Sequence, residues 1–501
     1  MNHQVQLIAY VDRLGGGGIT ELQALLAGPL NGVFGAVHLL PFYDPIDGAD
    51  AGFDPIDHTR VDPRLGSWED IKTLSAYLAV MADVIVNHMS DRSAQFNDYL
   101  QHGSASRFNG LFLTRESLFP EGASSAEVAA IHRPRPGAPF RDMRLDNGER
   151  VTLWTTFTPH QIDIDVRHPL GEQYLRRVLA TLAVNGVSMV RFDAIGYAIK
   201  KPGTSCFMID ETFDFIGKLT AVSRSFGIEV LVEVHAHYQR QIEIASHVDW
   251  VYDFALPPLV LHALSFGTAQ YLKHWITIRP RNAITVLDTH DGIGIVDIGA
   301  DKGGVLHGAA GLVPPDQIDA LVERIHVASG GESLLATGAA ASNLDLYQVN
   351  CTFFDALGRD ERRYWLARAI QFFLPGIPQV YYVGLLAGHN DLNLLERTGV
   401  GRDINRHYYP RKEILAQLER PIVKDLIALI RLRNEHPAFG GEFKLCDSGP
   451  ETLLMSWTEG ERWTQLEVNL ASAEFNLTAS AETGVERPAF GSSSSPAGSS
   501  A

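Results

Sequence analysis

Cysteine is scarce in this chain: Cys206, Cys351 and Cys446 are the only three. They stand far apart and form no Cys-x-x-Cys pair, which excludes a disulfide framework and a thiol-based metal or redox motif. Long apolar runs are missing too. Even the stretch around 251–266 carries Asp253, two prolines and His262, so no segment reads as a membrane-spanning helix. Positive charge is in deficit, with 42 Lys and Arg against 59 Asp and Glu and a net charge of −17. That balance argues against a general binder of nucleic acid or of an anionic membrane. The first thirteen residues lack a basic segment followed by a long apolar core, so no signal peptide is read there, and a soluble cytoplasmic enzyme is expected. No GxGxxG follows a first strand; the Gly15–Gly18 tract reads as a flexible loop rather than a phosphate cradle.

What is present is an ordinary globular composition, 45% apolar and 20% charged over 501 residues, long enough for about three structural units. Eight short apolar runs are spaced along it: 5–11, 33–42, 79–88, 188–197, 228–238, 250–256, 282–291 and 378–386. They alternate with helical patterns over about 67–78, 169–187, 211–226 and 360–373; Ser67 and Asp70 give the first a capping box, and Leu175, Leu179 and Leu182 give the second an apolar face. Strands hydrophobic on both faces imply a parallel sheet covered by helices, and eight such units imply a closed (β/α)8 barrel. The expected barrel comprises 1–87, 168–292 and 358–438. It is interrupted after its third strand by an insertion over 88–167 and after its seventh by another over 293–357. Short alternating strands after 438 predict a small β domain over 439–490, and the Gly-, Ser-, Pro- and Ala-only residues 491–501 predict a disordered tail.

Charged residues fall at the ends of the apolar runs: Asp83 with Asn87 and His88, Arg191 with Asp193, Glu233 with His235, and His290 with Asp291. A charge in a packed barrel is costly unless paired or placed at an end. Acids on three strands, all at the carboxyl end, converge on one mouth, where barrel enzymes keep their active sites. Paired carboxylates are what glycosidic-bond cleavage needs, one as nucleophile or base and one as acid. Arg191, two residues before Asp193 and on the same strand face, is expected to keep Asp193 ionised with a low pKa. Glu233, between Val232 and Val234, is expected to be desolvated and to serve as the acid.

The segments DVIVNH (83–88), VRFDAIGY (190–197), VEVH (232–235) and VLDTHD (286–291), in that order, resemble the four signature regions of the α-amylase superfamily. Four more, PFYDPIDGADAGFDPIDHTRVDPRLGSW (41–68), RPRPG (133–137), ASNLDLYQVN (341–350) and GRDINRHYY (401–409), resemble its bacterial sucrose phosphorylases. The likeness runs from about residue 3 to about 445. It implies a retaining double displacement with Asp193 as nucleophile, Glu233 as acid and base, and Asp291 as the acid that stabilises the transition state. It further implies that Asp50, His88, Arg191, His290 and Arg402 grip the glucosyl unit, with Phe53 as an aromatic wall and Phe157 as a flank. Arg135, His235, Asp345, Tyr347 and Gln348 correspond to the side where fructose and phosphate take turns.

The departures are His132, where that family suggests a tyrosine, and Ala236 and His237, in place of a serine–tyrosine pair. All three are expected near the acceptor side. The implied partners are small molecules: sucrose, inorganic phosphate as co-substrate, and alternative glucosyl acceptors, acted on by a monomer or homodimer. Phosphorolysis of sucrose 6′-phosphate, glucosylglycerol or glucosylglycerate, and hydrolysis of sucrose, are the alternatives. A loop over 341–350 with Asp345 and no base favours the uncharged acceptor. A catalytically silent barrel retained as a binding subunit is disfavoured, because no acid is missing. No cofactor and no metal are expected: the first insertion has no dense run of oxygen ligands.

Overall fold

The computed structural model describes residues 3–46, 49–133, 137–301, 306, 308–337 and 348–480, without the side chains of residues 49 and 50. Eight strands form a closed barrel: β1 (Gln6–Ala9), β2 (Ala36–Leu39), β3 (Ala79–Ile85), β4 (Val187–Asp193), β5 (Glu229–Val232), β6 (Trp250–Asp253), β7 (Ala283–Thr285) and β8 (Ile377–Tyr381). They follow one another round the ring in chain order, every pair is parallel, and β8 closes against β1 with Gln6 opposite Gln379. The eight apolar runs are these strands, but each strand is shorter than its run. A barrel strand ends where its neighbours stop pairing, and the backbone must then find other hydrogen bonds. After β8 the chain turns helical over Tyr382–Leu385, where strand was expected through 386. Gly384 allows it: a Cβ there would lie 1.9 Å from an Asp288 carboxylate oxygen.

The covering helices follow the apolar spacing. Pro169–Val184 opens with proline at its first turn and buries Leu175, Val178, Leu179 and Leu182, each contributing roughly 1.5–3 kcal/mol of hydrophobic burial. Trp68–Ser75 carries the expected cap, the Asp70 carboxylate accepting the Ser67 backbone N–H at 2.8 Å and its hydroxyl at 2.7 Å. The Gly15–Gly18 tract is an ordered turn rather than a loose loop. Gly15 pairs with Pro410, and a Cβ on Gly18, whose φ is +104°, would lie 2.4 Å from the Leu65 carbonyl oxygen. Close backbone approach, not flexibility, uses these glycines.

The barrel interior is unusually polar. Gln379 donates to the Gln6 side chain (2.6 Å) and accepts from the Tyr252 hydroxyl (3.0 Å). Tyr252 approaches His38 at 3.5 Å, and His38 meets Asp83 at 3.2 Å. Asp83 pairs with Arg191, its register partner on the neighbouring strand. A connected network of this kind satisfies each buried polar group and leads upward to the barrel mouth.

Within 88–167, His88–Ser90 pairs antiparallel with Gln161–Asp163, and Phe140–Arg144 with Arg150–Trp154. A buried lysine ties this segment to the barrel: the Lys200 ammonium lies 2.7 Å from both the Asn87 amide oxygen and an Asp163 carboxylate oxygen, and donates to the Tyr197 carbonyl. Within 293–357, Ile293–Gly294 pairs with Gln348–Val349, beside the helices Pro315–Ala328 and Glu332–Thr337. Strands Glu442–Leu445, Thr452–Glu459, Arg462–Asn469 and Glu474–Ala479 make an antiparallel sheet. Its Leu453, Met455, Trp457, Leu466 and Val468 face inward, and the Trp457 indole donates to the Phe373 carbonyl at 2.6 Å. Residues 481–490 and the tail 491–501 lie outside the described residues.

Candidate active site

The carboxyl ends of the barrel strands open into a cavity of about 700 Å³, mouth included, lined among others by Asp193, Glu233 and Asp291. Asp193 is the last residue of β4 and Glu233 the first after β5. Asp291 comes six residues beyond β7, on the loop entering the second insertion. Directly after Asp193 the chain takes a left-handed turn at Ala194, with φ +56°. A left-handed residue beside a functional group is strain held by its surroundings, and the turn it starts brings Gly196 and Tyr197 to the cavity wall.

Arg191, fully buried beneath the cavity, organises the acids. It pairs with Asp83 below; above, its Nη2 lies 3.3 Å from Asp193 and 3.0 Å from Glu233. Burial raises the Asp83 carboxyl, yet Arg191 and His38 outweigh it and hold the pKa at about 2. Asp193 goes the other way, against the expectation from sequence. Burial pushes its carboxyl well above the usual range; Arg191 pulls down, but the carboxylates of Glu233, Asp83 and Asp291 push up. The single guanidinium is shared among three acids, so its pull on Asp193 does not offset burial and the neighbouring carboxylates.

Asp291 is the low-pKa acid of the site. Burial opposes its charge, but Arg402 at 2.7 Å, His290 at 3.7 Å and Arg406 at 3.8 Å surround one oxygen and bring the pKa far below the usual range. His290 is buried to a pKa of about 3 and so is neutral at ordinary pH. Its ring stacks on Phe53 at 4.9 Å with 11° between planes, and the Arg191 guanidinium carbon stands 5.4 Å from the Phe53 ring centre. His88 fixes the same loop through the Phe53 carbonyl at 3.0 Å and meets the Phe157 ring at 5.4 Å.

Of the residues expected from sequence, Phe53, His88, Phe157, His235, His290 and Arg402 line the cavity with the three acids. Gln348 sits behind His235 at 3.1 Å and accepts from Arg402 at 3.4 Å. Arg135, Asp345 and Tyr347, with the Asp50 side chain, lie outside the described residues. Tyr197, Phe207 and Gln161 also line the cavity without having been singled out. Tyr197 lies within VRFDAIGY, so a signal existed for it; Gln161 and Phe207 sit in segments with no pattern.

His132 lies behind this wall, its ring 4.6 Å from Phe207 and 6.0 Å from Tyr197. Ala236 and His237 follow the cavity-lining His235 in the chain and are not themselves in the lining. His237 turns outward to the Ala310 carbonyl at 3.0 Å, and the Ala236 backbone donates to Asp297, because the chain is already entering the helix Tyr238–Ile244.

A closed parallel barrel with an Arg-bridged carboxylate pair and a third acid at its carboxyl end defines a (β/α)8 enzyme of the alpha-amylase class, and residues 32–230 match the family of the alpha amylase catalytic domain. The chain is 58% identical over 96% of its length to a sucrose phosphorylase of Agrobacterium vitis, 98% of which is covered. It is 52% identical over 91% to one of Bifidobacterium adolescentis, 90% of which is covered. A crystal structure of sucrose 6F-phosphate phosphorylase from Thermoanaerobacter thermosaccharolyticum superposes with a TM-score of 0.89 at 37% identity, over 97% of this chain and 96% of that one. The chain belongs to the sucrose phosphorylase family of alpha-amylase-type enzymes.

Proposed function

We propose that this chain converts sucrose and inorganic phosphate to α-D-glucose 1-phosphate and D-fructose, with net retention through a covalent β-glucosyl-enzyme. The observation that carries the chemistry is the contact of Asp193 and Glu233 with one Arg191 nitrogen. Two oxygens so held are no more than about 6 Å apart, a spacing suited to a nucleophile and an acid without an intervening water. The high identity to two proteins named sucrose phosphorylase supports sucrose and phosphate as the substrates.

In the first step Asp193 attacks the anomeric carbon, the glycosidic C–O bond breaks, and the fructosyl oxygen takes the proton of Glu233. In the second, a phosphate oxygen attacks the same carbon and the ester to Asp193 breaks; Glu233 recovers a proton if phosphate arrives carrying one. The cycle requires Asp193 as a carboxylate at the moment of attack and a proton on Glu233 for the departing oxygen. Asp291, held ionised by Arg402 and Arg406, supports positive charge developing on the sugar ring.

The reading needs no cofactor or metal. Glu233, His235 and Asp291 offer ligand atoms within 4.8 Å of one another, but two arginines already neutralise Asp291. At the root of the first insertion the internal cation is the Lys200 ammonium. No helix among the described residues is long and apolar enough to cross a membrane, and free thiols at Cys206, Cys351 and Cys446 support a cytoplasmic setting.

The test is incubation with sucrose, with and without phosphate, following glucose 1-phosphate and free glucose. Phosphate-dependent glucose 1-phosphate is expected; phosphate-independent glucose alone would overturn the reading.

A further inference from the structure

Asp297 belongs to the second insertion, is completely buried, and has no place in the reaction steps above. Its carboxylate faces His235, a cavity-lining residue from the loop after β5, with Oδ2 2.9 Å from Nδ1. Its other oxygen accepts the Ala236 backbone N–H at 3.2 Å and the Gln241 amide at 3.0 Å. Three bonds therefore fix the carboxylate before any ligand arrives. Gly294 leaves room for the pair: a Cβ there would stand 2.1 Å from Asp297 Oδ2 and 3.1 Å from His235 Nδ1. On the opposite side the His235 ring stacks on Phe254 at 3.8 Å with 12° between planes. The imidazole is clamped on face and edge, with Nε2 toward Gln348.

The Gln348 amide is oriented by its own contacts. Its oxygen accepts from the Gly292 N–H at 3.3 Å and from Arg402 at 3.4 Å, which turns its NH2 toward His235 Nε2 at 3.1 Å. Nε2 is thus an acceptor and the proton sits on Nδ1, held by Asp297. Burial disfavours a second proton on the ring, but the charge and hydrogen bond of Asp297, with Glu233 and Asp291 beyond, more than offset it, and the His235 pKa is raised. Arg402 faces the ring from across Gln348. Nε2 can therefore work in either sense.

We propose that Asp297 is a positioning residue for the acceptor: it holds His235 so that Nε2 exchanges the Gln348 amide for a hydroxyl of the sugar, from which it accepts, and, once protonated, donates to an oxygen of phosphate. This rests on the phosphorylase reading, in which one pocket must serve a neutral polyol and an oxyanion in turn. The proton is taken from solvent and returned to it, so no covalent step is added. A carboxylate behind an imidazole commonly sets its tautomer and strengthens its basicity.

The experiment uses the full chain, with Asp297→Asn, His235→Gln and the double variant. It measures kcat and KM for phosphate between pH 5.5 and 8, and the hydrolysis of sucrose without phosphate. For Asp297→Asn the KM for phosphate should rise about tenfold near neutrality, more than the hydrolysis rate falls, and the pH dependence of that KM should move to lower pH. His235→Gln should leave only the pH dependence that the second ionisation of phosphate itself contributes, and adding Asp297→Asn to it should cost little more, since the two act as one unit. Wild-type phosphate kinetics in Asp297→Asn, or an undiminished effect of Asp297→Asn in the His235→Gln background, would overturn the proposal. If Asp297→Asn does not fold, a phosphate KM with the wild-type pH profile in His235→Gln would overturn it instead. If the wild-type protein forms no glucose 1-phosphate, the phosphorylase reading itself fails; if it does, and the variants behave like wild type, only the Asp297 role fails.

Discussion

Asp193 and Glu233 are joined through a single atom: the Arg191 Nη2 lies 3.3 Å from one carboxylate and 3.0 Å from the other. The same guanidinium is anchored from below by Asp83. One buried cation is shared among three acids, and that sets what substitutions should do.

Removing the proposed nucleophile with Asp193→Asn should lower glucose 1-phosphate formation by about 10⁴-fold or more. The fold should be retained, because the amide still fits beside Arg191. Circular dichroism together with the phosphorolysis assay checks both, and substantial remaining turnover would refute the assignment.

Glu233→Gln should separate acid catalysis from binding. With sucrose, whose leaving group needs a proton, the rate should fall by roughly 10³-fold. With α-glucosyl fluoride, whose leaving group does not, glucosyl transfer should stay much closer to wild type. An equal loss on both substrates would remove Glu233 from the role of proton donor.

Asp83 carries an acid-stability signature. Its folded pKa, about 2, lies below its ordinary value of 3.8. The stabilisation is therefore complete above pH 3.8 and disappears as pH falls towards 2, an amount of about 2 kcal/mol. Asp83→Asn should lose this stabilisation at every pH and flatten that limb in denaturant titrations, besides loosening Arg191 and lowering turnover.

Buried neutral histidines predict a second limb at higher pH. His58 and His290 have folded pKa values of about 3, and His132 about 4, each against an ordinary 6.5. Above pH 6.5 they are neutral in both states. Below it the unfolded chain binds protons that the native one refuses, so stability falls from pH 6.5 downward, by about 2 kcal/mol per group at pH 5. Urea unfolding at pH 7 and pH 5 measures the drop, and His58→Gln should make it shallower.

Lys200→Met should leave Asp163, fully buried, without its cation. Breaking a buried pair typically costs about 3–5 kcal/mol. Thermal unfolding should shift down, and proteolysis within 88–167 should accelerate, since Lys200 joins that segment to Asn87 and the loop after β4.

The barrel was legible because continuous apolar runs announce a parallel sheet, and the acids because they interrupt those runs at the mouth. The precise strand ends were not. Pairing with neighbours ends β7 at Thr285 and moves Asp291 onto a loop, which no local pattern encodes. The Arg191–Asp193 pair could be read from its spacing of two, yet its electrostatics could not. Spacing places one arginine beside one acid, whereas Asp83 and Glu233 reach it from adjoining strands and reverse the expected direction for Asp193.

By itself, then, the sequence determined the eight-fold alternation, the order of the four motifs and the identities of Asp193, Glu233 and Asp291, all of which depend on residues near one another in the chain. Only the tertiary structure decided which of them share a cation, that Asp297 stands behind His235 across 62 positions, and that the Gly15–Gly18 turn is fixed by backbone contact. The reason is physical: pKa, hydrogen-bond sense and close approach depend on distances in space between elements far apart in sequence, and those are set when the barrel closes.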